Sequence, residues 1–144
     1  MADLKGAIKQ PGRIVERYVQ LISGQVNLLN NFSFTTPIIL DFQPDVMIVQ
    51  NVMMREAIPG AYAGLYTIQS SVTSHNPLIA TCAPGMPIAG VNSSFRIERP
   101  IRSNFTFTLL DAATLEPPDD VASSALLGIT LQFIKYPGKK DDLP

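Results

Sequence analysis

Apolar and polar side chains alternate along most of the chain, and this period of two is typical of β-strands rather than helices. In residues 103–111 the large apolar side chains share one parity and the threonines share the other. Residues 127–135 repeat the alternation. Both stretches predict strands with one buried face. The residues expected in the core are Phe105, Phe107, Leu109, Leu127, Ile129, Leu131 and Phe133.

Other stretches predict shorter or less regular strands. Residues 45–54 are apolar on both parities, which predicts a strand covered on both faces. Pro37 interrupts an apolar parity that begins at Val26, so it marks a bend, an edge position or a bulge. Further strand positions are predicted at Leu28, Phe32, Phe34, Ile38, Leu40 and Phe42, at Tyr62, Tyr66 and Ile68, at 78–82, and at Phe95, Ile97 and Ile101, the last group interrupted by Pro100.

Residues 13–22 fit two interpretations. Ile14, Tyr18 and Ile22 are four apart, as in a helix, but the Val, Ile and Tyr content favours a strand, which is our prediction. Residues 1–12 are expected to be a flexible arm and 138–144 a tail, leaving 13–137 as the folded domain. About eight antiparallel strands separated by Pro, Gly, Asn and Asp predict an all-β single jelly-roll or Greek-key β-sandwich.

Charged residues are scarce, at 16% of the 144 residues against about 25% in typical soluble domains. None occurs between Arg17 and Asp41 or between Glu56 and Arg96. The second gap is long enough for a membrane helix, but its many prolines and glycines argue against a membrane span. We therefore expect these segments to be buried in the domain or to face other subunits.

The overall charge balance and the single cysteine narrow the classes of function. Eleven basic residues against twelve acidic ones leave no broad positive surface for nucleic acid, so no direct nucleic-acid partner is expected. Cys82 is alone, which excludes a disulfide within the chain and favours folding in a reducing compartment. The charged first residues do not resemble a secretory signal peptide.

No residue constellation in the sequence predicts catalysis, and we expect no enzyme, cofactor or metal. His75 is the only histidine, whereas a cupin-type metal site needs several histidines and a carboxylate, so a surface loop position is expected. Cys82 lies in an apolar strand without a neighbouring base, which predicts a buried structural thiol. No nucleophile elbow, phosphate loop or dinucleotide fingerprint occurs.

Three other groups of residues are candidate sites. The acidic loop has oxygens that calcium accepts, but its spacing fits no known calcium loop, and a solvated hairpin loop is expected. The arginine cluster, diluted by Glu98, predicts salt bridges within the subunit or across an interface rather than phosphate binding. The Asn-x-Ser/Thr triplets are expected to be incidental. The acidic loop contains Asp111, Glu116, Asp119 and Asp120, the arginine cluster is Arg96, Arg99 and Arg102, and the triplets begin at Asn31, Asn92 and Asn104.

Residues 95–111 and 126–136 resemble the last strands of the jelly-roll capsid proteins of icosahedral double-stranded DNA viruses. The resemblance consists of a strand ending in Leu110-Asp111, a variable loop and a last strand that contains Leu131-Gln-Phe133-Ile134. It implies a single jelly roll, because the chain is too short for the double jelly roll of major capsid proteins. It also implies a penton or minor capsid protein, with no catalytic residues to carry over.

The sequence thus predicts a structural virion protein that self-assembles through its β-sandwich walls. The expected partners are copies of the chain itself, with a pentamer favoured, and other capsid proteins; the expected location is the virion, after folding in the host cytoplasm. A ligand-binding or receptor-binding β-sandwich, such as a carbohydrate-binding or tumour-necrosis-factor-like module, is the main alternative. The absence of tryptophan weakens its sugar-binding form.

Overall fold

The computed structural model describes residues 16–73, 75–98, 100–118 and 124–137. The expected arm (1–12) and tail (138–144) lie outside the described residues. A short 3-10 turn, Leu28–Asn30, follows the first strand. The strands are β1 (Glu16–Val26), β2 (Ser33–Ile39), β3 (Val46–Glu56), β4 (Tyr66–Ser70), β5 (Leu78–Ala83), β6 (Met86–Ala89), β7 (Ser94–Arg96), β8 (Arg102–Asp111) and β9 (Ala125–Lys135).

These strands form a sandwich of two antiparallel sheets. One sheet has the order β1-β9-β3-β7 and the other has the order β2-β8-β4-β5-β6. The pairs are nested along the chain, since β1 pairs with β9, β2 with β8, β3 with β7 and β4 with β5. This nesting, divided between two facing sheets, is the topology of a single jelly roll. The predicted fold class is confirmed, with β6 as an additional edge strand.

The predicted strand in the ambiguous stretch 13–22 is also confirmed over the described part. β1 begins at Glu16 and pairs with β9 along its whole length without a bulge, from Glu16 opposite Lys135 to Val26 opposite Ala125. The four-residue spacing of Tyr18 and Ile22 therefore has no helical meaning. Strand pairing over eleven residues outweighs the weak helical period.

The core fills the space between the two sheets. All seven residues that the alternation of 103–111 and 127–135 assigned to the core are fully buried. The ring of Phe34 stacks on that of Phe107, with centroids 5.5 Å apart. Gly24 of β1 lies directly under Phe34, where a side chain would overlap the ring. Glycine in this strand thus permits a close approach between the two sheets.

The prediction that β3 is covered on both faces is wrong for the single subunit, in which only one face of β3 is covered. Met47 and Val49 face the core, but the register shifts between Val49 and Asn51, after which Val52 and Met54 face the core instead. Because a β-bulge inserts one unpaired residue, it moves the apolar residues to the other parity. The apolar residues on both parities of β3 therefore reflect this bulge, and Met53 is exposed.

Several local predictions need correction. Leu28 lies in the 3-10 turn and is exposed, because Asn27 and Asn30 cap each other and end the strand. Tyr62 is buried in the loop before β4 rather than in the strand itself, and Ile97 and Ile101 are buried in the connection after the short β7. β6 was not predicted. Pro37 was correctly placed, since β2 is an edge strand.

Candidate interaction surfaces

The outward face of the four-stranded sheet carries a block of uncharged side chains, which we call the outer wall. It is formed by three rows across β1, β9 and β3. Large apolar members are exposed, with Leu21 at 69%, Val19 at 47% and Met53 at 45%. The rows are Val19, Gln132 and Ile48; Leu21, Thr130 and Asn51; and Ser23, Gly128 and Met53.

The rows that border the outer wall carry arginines. Arg17 and Arg96 lie at the two ends of the row on one side, and Arg55 lies in the row on the other side. All three are exposed. Because these bordering charges have the same sign, two outer walls facing each other would bring arginines together at a Coulombic cost. A contact with a different surface of a neighbouring molecule avoids this repulsion.

A second surface lies at the end of the sandwich where three connections meet; we call it the loop end. Ser124, before β9, accepts hydrogen bonds from Gln25 of β1 and from the backbone N–H of Ala57, both at 2.9 Å. The backbone N–H of Ala112 donates to the carbonyl of Leu65 at 3.1 Å. The β8–β9 connection is thus hydrogen-bonded to β1 and to the β3–β4 connection.

The most exposed apolar residue at the loop end is Leu29, at 96%. It lies in the 3-10 turn, whose ends are fixed by reciprocal hydrogen bonds between Asn27 and Asn30. Asn31 and Phe32 then adopt positive φ angles of 55° and 56°, with Phe32 fully buried. Positive φ at a phenylalanine is unusual and costs free energy, so the buried ring holds the turn in this conformation.

Glu56 organises the adjacent β3–β4 loop. Its carboxylate accepts hydrogen bonds from the backbone N–H groups of Gly60 at 3.1 Å and Tyr62 at 2.6 Å. The ring of Tyr62 meets that of Tyr66 edge to face, with centroids 5.6 Å apart. Burial raises the pKa of both phenols, and Glu56 adds a smaller effect in the same direction. These groups fix the conformation of the loop.

Two mostly apolar clefts adjoin each other at the loop end. A cleft of about 240 Å³ lies between Gln25, Arg55 and Leu126, and a larger one of about 490 Å³ is bordered by Leu29 and Ile58. Both are open to solvent, and neither holds a convergent set of buried polar groups of the kind that fixes a small ligand. Their chemistry fits apolar contact better than catalysis.

The outward face of the five-stranded sheet carries hydroxyl groups instead of apolar side chains. Ser33 shares a hydrogen bond with Thr108 at 2.8 Å, and Thr35 shares one with Thr106 at 3.1 Å. A small polar cleft of about 120 Å³ lies beside Gln69. The hydroxyls of these two pairs therefore satisfy one another across the strands.

The predictions for His75 and Cys82 are confirmed. His75 is exposed in the turn between β4 and β5. Cys82 is completely buried in β5, and burial raises the pKa of its thiol to about 11. Such a thiol is protonated at neutral pH and is a poor nucleophile.

The acidic and basic groups do not converge on one site. Asp111 accepts from the backbone N–H groups of Ala113 and Thr114, which makes it a turn-forming residue. Glu116 is exposed, and Asp119 and Asp120 lie outside the described residues. Arg96 and Arg102 belong to different sheets, and Arg99 is also outside the described residues.

Two of the three asparagine triplets have a structural explanation. Asn31 and Asn92 adopt positive φ angles, of 55° and 72°, in exposed turns. Asparagine tolerates this conformation better than most residues because its short side chain hydrogen-bonds locally. Asn104 is exposed on β8. The sequence motif alone did not indicate these turn roles.

Among the described residues, no group of three or more histidine, cysteine, aspartate or glutamate side chains is arranged to hold a metal ion. Within the same part of the chain, no helix has the length and apolar character needed to cross a membrane.

No protein-family model matches the chain, no curated protein is significantly similar to it, and no solved structure matches its fold significantly. The strand topology alone assigns the chain to the class of single jelly-roll β-sandwiches.

The sequence did not reveal the outer wall or the loop end. The wall depends on which strands are neighbours in the sheet. The bulge also changes which side chains of β3 face outward, so the alternation in the sequence does not identify them. The capped turn did have a local signal in Asn27-Leu-Leu-Asn30, since asparagine is a strong capping residue.

Proposed function

We propose that the chain is a structural subunit of a virus shell, a penton or minor capsid protein that self-associates through the walls of its sandwich. The observation that carries the proposal is the outer wall, an uncharged block with exposed Val19, Leu21 and Met53 on an otherwise well-packed domain. Several large exposed apolar side chains on one uncharged face indicate a contact surface. The jelly-roll topology and the resemblance of residues 95–111 and 126–136 to capsid strands support the same function.

Arginines at the border of the wall favour a ring over a face-to-face dimer. Wall-on-wall packing places Arg17, Arg55 and Arg96 of one copy near those of its partner. In a ring, each wall instead meets a different surface of the next copy, and a closed ring satisfies every contact. A pentamer at a five-fold vertex of the shell is the arrangement we propose, with other capsid proteins as neighbours.

Light scattering on the purified full-length chain tests this proposal. We expect a closed oligomer at micromolar concentration, and we expect Met53→Lys to reduce it to smaller species because the new charge is desolvated in the contact. Leu29→Lys, an equally drastic change at the loop end, is the matched control and should leave the oligomer intact. A monomer at all concentrations contradicts the proposal, as does an oligomer that Met53→Lys does not affect.

The apolar clefts at the loop end favour one other function, a ligand-binding or receptor-binding module. Such a protein stays monomeric and binds its ligand near Leu29 and Ile58. Saturable binding of a glycan or peptide by a monomer, abolished by Leu29→Lys, would favour this function over the shell subunit.

A further inference from the structure

The four edge strands of the sandwich differ in how they are protected against pairing with another chain. An unpaired edge is a template for further strands, and proteins protect edges with proline, charge, bulges or short length. In the five-stranded sheet, the edge strand β2 contains Pro37 and the edge strand β6 has four residues including Pro87. In the four-stranded sheet, the edge strand β7 has only three residues.

β1 has none of these protections beyond its first two residues. It is eleven residues long, pairs with β9 without a bulge, and has no proline or charged side chain from Tyr18 to Val26. At its C-terminal end, the side-chain amide of Asn30 donates to the carbonyl of Gln25 at 2.8 Å. From Glu16 to Gly24, no described residue outside β9 is hydrogen-bonded to the main chain of β1.

We propose that β1 pairs with β1 of a second copy of this chain, antiparallel, across a two-fold axis perpendicular to the sheet. Such an axis keeps inward-facing residues inward and outward-facing residues outward, which any strand added to this sheet must do. The stretch from Tyr18 onwards has no charge that could pair with a charged partner strand, whereas the side chains of an identical strand match its uncharged pattern. Isologous two-fold contacts of this kind are the commonest symmetry in protein assemblies.

The apolar side chains of the edge determine the register. Pairing about Gln20, at the centre of the described open edge 16–24, places apolar side chains opposite one another and uses all of that described edge. Val19 of each copy then lies opposite Leu21 of the other. These four exposed side chains form an apolar cluster across the junction, in line with both outer walls, and directly opposed apolar side chains stabilise strand pairing. The two sheets become one continuous eight-stranded sheet.

This inference rests on the proposed function in one respect, because both require self-association, but it concerns a different contact. A ring needs a contact between two different surfaces, whereas the β1 contact joins two identical ones. Edge pairing therefore links one ring to another or forms a separate dimer. Met53→Lys tests the ring contact at a residue outside β1, and cross-linking tests the β1 contact.

Cysteine cross-linking of the full-length chain tests the pairing and its register. Val19→Cys and Leu21→Cys chains carrying different tags are mixed and oxidised; opposed residues of paired strands are close enough for a disulfide. The native Cys82 does not interfere, since it is buried and its thiol is protonated. We expect a disulfide-linked dimer when the two variants are mixed, and no cross-link when either variant is oxidised alone. Leu29→Cys, at the loop end, should not cross-link with either.

The outcomes separate this inference from the proposed function. An oligomer that forms no mixed disulfide overturns the edge pairing and leaves the shell subunit standing. Stronger cross-linking of Leu21→Cys alone overturns the register and hence the proposed pairing. A mixed disulfide in a protein that never exceeds a dimer supports the edge pairing and contradicts the shell subunit.

Discussion

Gly90 shows how strongly one position can be constrained by the backbone of a neighbouring strand. Its φ angle is +94°, and a Cβ atom there would lie 2.7 Å from the Cα of Ala80 and 2.8 Å from the carbonyl oxygen of Ile79. Gly60 also has a positive φ angle, of +84°, but has open space around it. Substitution of Gly60 therefore tests backbone strain alone, whereas substitution of Gly90 tests backbone strain together with steric overlap.

We expect Gly60→Ala to lower the free energy of unfolding by about 1–2 kcal/mol, the cost of a left-handed alanine. Gly90→Ala should cost roughly 1–3 kcal/mol more, because the methyl group must also displace the backbone of β5. Urea denaturation of both variants measures the difference. Equal losses would show that the approach of Gly90 to β5 is not a constraint.

The buried thiol of Cys82 is expected to make the folded protein less stable at alkaline pH. Burial raises the pKa of its thiol to about 11 in the folded state, above the ordinary value near 9. The protonated thiol therefore contributes fully to the stability of the folded state below pH 9. This contribution is lost as the pH rises through 11, because the thiol ionises at a lower pH in the unfolded state than in the folded state. The raised pKa values of Tyr62 and Tyr66 act in the same direction at higher pH.

The expected loss from Cys82 is roughly 2–3 kcal/mol between pH 9 and 11, at about 1.4 kcal/mol for each pKa unit. Thermal unfolding measured across this pH range tests it, with Cys82→Ala as the control. The variant should show a shallower decrease than the natural chain. Identical slopes would mean that the Cys82 thiol ionises equally in the folded and unfolded states.

Single residues were predictable from the sequence where the chemistry is local. Cys82 in an apolar strand and His75 in a polar Thr-Ser-His-Asn-Pro stretch were placed correctly for that reason. The constraints on Gly24 and Gly90 were not predictable, because they come from Phe34 and Ala80, which approach only when the strands assemble.

At the level of elements, the bulge in β3 makes a deletion experiment informative. Gln50 has no partner in β9, while Val49 pairs with Leu131 and Asn51 with Thr130. Removing Gln50 should therefore restore regular alternation and keep every inward residue in place. Removing Val49 also gives a regular register, but it places Gln50 opposite Leu131 at an inward position.

We expect deletion of Gln50 to change the free energy of unfolding by less than about 1 kcal/mol, as for surface changes that leave the packing intact. Deletion of Val49 should cost roughly 2–4 kcal/mol, because it removes a buried side chain and buries an amide. Chemical denaturation of the two single-residue deletions compares them directly. If deletion of Gln50 is the more damaging, the bulge has a structural role beyond accommodating one extra residue.

The strands with one buried face were predictable because their alternation is uninterrupted, as in β8 and β9. β3 was misinterpreted because a bulge changes parity without any marker such as glycine or proline. β6 was missed because its four residues, Met86–Ala89, are all exposed and include a proline. Short edge strands are defined by their neighbour rather than by their own sequence.

At the level of the whole molecule, the sequence predicted the sandwich but not the neighbours of each strand. The pairing of β1 with β9 joins residues about one hundred positions or more apart, from Val26 opposite Ala125 to Glu16 opposite Lys135, and no local pattern specifies it. The outer wall depends on this pairing, since its rows combine β1, β9 and β3. The low charge content predicted that such a surface exists, and only the topology located it.

In the proposed assembly, copies of this chain keep water off the outer wall. Cryo-electron microscopy of the purified full-length chain at assembly concentration tests this burial. We expect closed rings in which Leu21, Met53 and Thr130 are buried against the next subunit. Particles in which these three side chains remain in contact with solvent, whether as monomers or as oligomers joined elsewhere, would contradict it.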